Sequence, residues 1–160
     1  LGAENIYAYD REPTRLEFAR RLGAIPVNAT KEYSNTKILE ATQGRGADGV
    51  MEAVGSRNAV DLAFQLVRPG GILSSVGVCT DEELPFSPVQ AYNKNITYKV
   101  GRCPARYLME KLVPIIQGKK YDYTSIITHR IALSEGISGY DLFSNKKDNC
   151  LKVVMYPGLR

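Results

Sequence analysis

Apolar runs of strand length alternate with amphipathic stretches of helical spacing, and that alternation limits the possible folds more than any other feature. A strand pattern near 5–10 leads to Pro13, whose missing N–H costs nothing at the first helical position. Leu16, Ala19 and Leu22 then make one apolar stripe, and Gly23 supplies the stop. Ile25-Pro26-Val27 reads as a short strand that Pro26 confines to an edge. A helix over 34–42 presents Ile38, Leu39 and Thr42, and Gly44-Arg45-Gly46 breaks it. Residues 47–54 form a third strand, and Ser56 caps a helix whose core face is Ala59, Val60, Ala63, Phe64 and Val67. Pro69-Gly70-Gly71 reads as a turn, 72–78 as a fourth strand, Pro85 and Pro88 as marks of a loop, and 96–100 as a fifth strand. Pro104 opens a helix carrying Leu108, Leu112, Ile115 and Ile116, which Gly118 closes. A short segment at 126–129, a helix near 135–144 and a strand at 153–155 follow.

Strands separated by helices imply βαβ units with right-handed crossovers. The expected fold class is α/β, a doubly wound, Rossmann-like parallel sheet. The strand near 5–10 ends in Asp10. In a dinucleotide-binding unit, an acid at the end of the second strand accepts hydrogen bonds from ribose hydroxyls, and a glycine fingerprint precedes it by about 20 residues. Only nine residues precede Asp10, and they hold no such fingerprint. The chain thus reads as a nucleotide-binding sheet entered one strand late. In the order 3-2-1-4-5-6 the absent strand is the central one. Its neighbours would expose rows of unpaired backbone groups. The expectation is a fragment of a longer polypeptide, or a sheet completed by another segment.

The other function classes find little support. At 160 residues, 44% hydrophobic and 24% charged, the chain has the makeup of one ordinary globular domain. It has neither an apolar run near the ~20 residues of a membrane span nor a signal segment. The net charge of +4 is spread thinly, whereas a nucleic-acid surface needs a denser basic stripe. Cys79, Cys103 and Cys150 are far apart and His129 is the single histidine, so no metal site is expected in this chain. Scattered cysteines suit a reducing, cytoplasmic compartment. His129 reads as a structural group, and Glu52, inside an apolar strand, as a salt-bridged structural acid.

An ordered set of short runs carries a resemblance: Leu1-Gly2-Ala3, Tyr9-Asp10, Arg15-Leu16, Leu22-Gly23-Ala24, Gly46-Ala47-Asp48-Gly49-Val50, Glu52-Ala53-Val54-Gly55, Arg68-Pro69-Gly70-Gly71 and Val76-Gly77-Val78. The chain resembles the coenzyme-binding and C-terminal portion of the medium-chain, zinc-type alcohol dehydrogenases. Gly101-Arg102-Cys103-Pro104, Ile127-Thr128-His129 and Cys150-Leu151-Lys152-Val153-Val154 resemble its formaldehyde-dehydrogenase-like subgroup.

The resemblance implies that Asp10 holds the adenosine ribose and disfavours a 2′-phosphate, so that NAD is preferred over NADP. Arg15 would lie near the same ribose, while Arg11 beside the acid is placed to accept a phosphate. Ala53, Val54 and Gly55 would line the cofactor cleft, with Val76, Gly77 and Val78 beside the nicotinamide; Arg102 would contact cofactor or partner. Residues 1–126 would form a partial dinucleotide-binding domain and 127–160 would belong to the catalytic domain. The zinc and its ligands would lie in the missing part, so this segment would hold no catalytic residue and be inactive by itself. The parent would be a homodimer or homotetramer, paired through 96–101, that moves hydride between NAD and an alcohol or aldehyde. Two other readings compete. One is an S-adenosylmethionine-dependent methyltransferase-like domain, which also uses an acid after its second strand. The other is a non-catalytic fragment that pairs with a partner.

Overall fold

The computed structural model describes residues 2–31 and 35–158, so the resemblance at Leu1 and the helix start expected at 34 lie outside the described residues. The chain divides into two compact units, 1–104 and 105–160.

The first unit alternates as expected: β1 (Tyr7–Asp10), α1 (Pro13–Arg21), β2 (Ile25–Asn28), α2 (Thr36–Ala41), β3 (Ala47–Glu52), α3 (Arg57–Leu66), β4 (Val67–Ser75), α4 (Pro88–Lys94) and β5 (Thr97–Val100). All strand pairings are parallel, in two sheets: β1–β2 and β3–β4–β5. Remove the centre from the expected strand order and these are the pairings that remain. Among the described residues β1 and β3 each keep one edge without a strand partner.

Helix ends follow their local chemistry. Gly23 takes φ +90°, and the N–H groups of Gly23 and Ala24 close the α1 carboxyl end on Arg20 and Ala19 at 3.0 Å each. Ser56 Oγ accepts from Ala59 N at 3.3 Å and caps α3. Val60, Ala63, Leu73 and Phe86 form the buried core, with Val50, Phe64, Cys79, Ala91, Ile96 and Tyr98 packed around it. Phe86 stacks on Phe64 with centroids 4.4 Å apart and meets Tyr98 edge-on at 5.7 Å. On α1, by contrast, no residue is buried, and Leu22 of the expected stripe, just past its end, is exposed.

Three expectations are corrected. Pro69-Gly70-Gly71 does not separate a helix from a later strand; it bulges out of a β4 that already pairs at Val67. Between the pairs Ala47–Val67 and Gly49–Ile72, β3 advances two residues while β4 advances five. Asp48 Oδ1 ties this bulge to its neighbours, accepting from Arg45 Nη1 and Arg68 Nε at 2.7 Å each. β4 also ends at Ser75, so 76–78 lie beyond it. The stretch around Pro88 is a helix rather than a loop. Pro88 sits in its first turn, and Ser87 with Gln90 forms a reciprocal capping box, at 3.2 Å to Gln90 N and 2.7 Å from Ser87 N.

The second unit holds α5 (Ala105–Gln117), with Pro114 inside it, and a parallel pair, β6 (His129–Ala132) and β7 (Val153–Tyr156), joined through α6 (Gly136–Ser144). Gly139 is buried on that pair, and a Cβ there would come within 2.6 Å of Ile131.

Candidate functional site

The candidate residues gather at the carboxyl ends of strands. Asp10 is the last residue of β1; 53–55 follow β3, 76–78 follow β4, and Arg102 comes two residues after β5. Since β3, β4 and β5 run parallel in one sheet, the last three groups share one end of it. Open α/β sheets bind ligands at that end.

Asp10 is fixed by the turn that follows it. Its Oδ1 accepts from Arg11 N at 2.7 Å and Glu12 N at 2.9 Å, an Asx-type turn leading into α1. Its other oxygen, Oδ2, stands 4.0 Å from Arg15 Nη1, with the side chains 33% and 36% exposed. A pair this long and this wet contributes at most about 1 kcal/mol. It leaves Oδ2 able to accept from a diol. Arg11 is exposed.

The loops after β3 and β4 are built into each other. Gly55 has φ +81°, and a Cβ there would lie 2.4 Å from Val78 O. A Cβ at Gly77 would lie 2.3 Å from Gly55 N and 2.9 Å from Glu52 Oε2. The close approach Gly77 permits is therefore to protein backbone. Val54, Val76 and Val78 are exposed beside this junction, at 74%, 59% and 81%.

Sequence reasoning missed what holds the junction. Glu52, only 4% exposed, is not salt-bridged; it is satisfied by hydrogen bonds. Oε1 accepts from Val54 N at 2.6 Å and Gly55 N at 2.7 Å, and Oε2 accepts from buried Ser75 Oγ at 2.9 Å. Its carbonyl oxygen accepts from Val76 N at 2.8 Å and Gly77 N at 3.1 Å. The signal available beforehand was an acid at the end of an apolar strand, followed two and three residues on by Val54 and Gly55, both able to donate a backbone N–H.

Thus 53–55 and 76–78 come together, Asp10 at the end of β1 and Arg15 in α1 form a second group, and Arg102 stands exposed beyond β5. A groove of about 540 Å³ between α1, β2 and α2, lined among others by Leu16, Val27 and Lys37, includes none of the candidate residues. His129 is held structurally, Nδ1 at 2.9 Å from Thr128 Oγ1 and Nε2 at 3.2 Å from Asp148 Oδ2. Among the described residues no group of three or more His, Cys, Asp or Glu could hold a metal ion. No helix there is long and apolar enough to cross a membrane.

A parallel α/β sheet with its candidate residues at the strands' carboxyl ends defines a Rossmann-like, nucleotide-binding class of architecture. Residues 1–118 match the family described as zinc-binding dehydrogenase, and the chain belongs to that family. It is 37% identical over 146 residues to zinc-type alcohol dehydrogenase B of Aspergillus flavus, covering 90% of this chain and 34% of that protein. It is 32% identical over 159 residues to an alcohol dehydrogenase of Cupriavidus necator, covering 98% of this chain and 43% of the other. The solved structure of alcohol dehydrogenase TADH from Thermus sp. ATN1 superposes with a TM-score of 0.89 at 36% identity, over 97% of this chain and 44% of that one. The chain thus spans between a third and a half of the length of these relatives. The methyltransferase reading is not favoured: the relatives are dehydrogenases, and every strand pairing among the described residues is parallel.

Proposed function

We propose that this chain supplies part of the coenzyme site of an NAD-dependent dehydrogenase that moves hydride between NAD and an alcohol or aldehyde. The observation that carries it is Asp10: a carboxylate at a strand's carboxyl end, with Oδ1 committed to the turn and Oδ2 open to a ribose diol. Its negative charge favours NAD over NADP, because a 2′-phosphate would meet a like charge. Arg15 steadies the carboxylate, and exposed Arg11 is the group that would accept a phosphate in its place. Ala53, Val54, Gly55, Val76, Gly77 and Val78 offer a largely apolar surface for the nicotinamide end, with Arg102 at the far side. The acceptor oxygen of Asp10 suits a ribose diol, and the exposed Val54, Val76 and Val78 suit the face of a nicotinamide ring. The hydride chemistry is the coenzyme's own; this chain binds and orients.

Zinc is a different matter. The family is named for it, yet the described residues hold no ligand set that fits. No step of this reading passes through a metal bound to this chain. Residues 1–126 would form the partial dinucleotide-binding domain and 127–160 part of a catalytic domain. The formaldehyde-dehydrogenase-like subgroup, a cytoplasmic location and pairing of two copies through 96–101 belong to the same reading. The last draws on β5, whose outer edge has no strand partner among the described residues and whose Val100 is 67% exposed. Fluorescence titration tests the function: saturable binding of NADH, with none of S-adenosylmethionine, is the expected result. The reverse preference would overturn it, and binding of neither would favour the partner-only fragment.

A further inference from the structure

Glu52 is a carboxylate only 4% exposed, and it touches both loops of the proposed nicotinamide end. Its carboxylate spans two strands that end side by side, joining the N–H groups after β3 to the Ser75 hydroxyl at the end of β4. Its carbonyl takes the two N–H groups that follow Ser75. One residue thus collects four backbone N–H groups and a hydroxyl from the two segments. Gly77 has no Cβ where that carboxylate sits, since a Cβ would come within 2.9 Å of Oε2. The main core cluster of Val60, Ala63, Leu73 and Phe86 does not include Glu52. Its bonds are concentrated on the loop junction.

We propose that Glu52 is a positioning residue for the coenzyme: its buried carboxylate sets where Val54, Gly55, Val76 and Gly77 present themselves to the nicotinamide end. This rests on the coenzyme reading given above. Without an acceptor, the Val54 and Gly55 N–H groups must find water or another partner, and the loop moves to reach it. Glutamine separates position from charge. Its Oε1 can accept from both N–H groups, while its amide nitrogen donates to Ser75 Oγ, so the bond to Ser75 reverses direction and survives.

The test uses the full chain and NADH. In Glu52→Ala, hydrogen exchange at the Val54 and Gly55 amides should accelerate at least about tenfold, with the β1 amides unchanged, and the NADH dissociation constant should rise at least about tenfold. Glu52→Gln should bring both back to within about threefold of the parent. Should Glu52→Ala fail to fold by circular dichroism, Glu52→Asp takes its place, because its carboxylate falls a methylene short of both amides. If the parent binds NADH and Asp10→Ala weakens it, but Glu52→Ala leaves the affinity unchanged or Glu52→Gln restores nothing, this inference alone is wrong. If the parent does not bind NADH, or Asp10→Ala has no effect, the coenzyme reading falls and takes this inference with it.

Discussion

Gly55 and Gly77 show how a single hydrogen in place of a side chain shapes the site. Each lies against the other's loop, and a methyl group on either would land within 2.4 Å of main-chain atoms. Gly77→Ala should therefore cost about 2–3 kcal/mol, the scale of overpacking a rigid contact. Gly55→Ala should cost about 1 kcal/mol more, because its φ of +81° is strained for any other residue. Urea denaturation followed by circular dichroism reads both. Tyr9 offers a second check. Partial burial, and secondarily Tyr7, push its phenol from 10.0 up to about 12. In the unfolded chain it ionises near the ordinary value, so between about pH 10 and 12 the unfolded state has lost a proton that the native state keeps. Its contribution to stability is complete below pH 10 and is lost as pH rises toward 12. Denaturation midpoints across that range should fall less in Tyr9→Phe than in the parent, and equal slopes would contradict the assignment.

At the scale of elements, the capping box of α4 is the feature with the sharpest energetic consequence. Replacing Ser87 by Ala removes the acceptor for Gln90 N and should cost about 1 kcal/mol. Thermal melting of Ser87→Ala reads this as a drop of a few degrees, and an unchanged melting temperature would contradict it. This helix was legible in Ser87-Pro88-Val89-Gln90, a cap, a proline at the first position and a glutamine three residues on, yet the two prolines read as a loop. Proline marks a helix start as readily as a break, and only the flanking cap decides between them. The ends of α1 and α3 were legible for the same reason: Gly23 and Ser56 act within one turn of themselves. Pro69-Gly70-Gly71 was not, because a bulge is defined by the neighbouring strand. A Cβ at Gly71 would lie 2.9 Å from Arg68 O within the bulge and 3.1 Å from Asp48 O, and the second contact belongs to the neighbouring strand. Glu52 escaped in the same way. An acid in an apolar strand signals burial, but its partners lie on loops whose meeting depends on the register of β3 against β4.

At the scale of the whole molecule, two parallel sheets, in which β1 and β3 each keep an edge without a strand partner among the described residues, carry the residues proposed for a coenzyme site. Asp10's place at a strand end was legible because the hydrophobic alternation already marks that strand and its last residue. The proposed coenzyme site depends on that carboxylate taking a ribose diol. The most direct measurement is the pair of dissociation constants for NADH and NADPH in the parent chain and in Asp10→Ser. The parent should bind NADH at least about tenfold more tightly than NADPH, because the 2′-phosphate meets a like charge, and the substitution should erase most of that margin by weakening NADH and relieving NADPH. A parent that binds the two alike, or a variant that keeps the parent's preference, would contradict it.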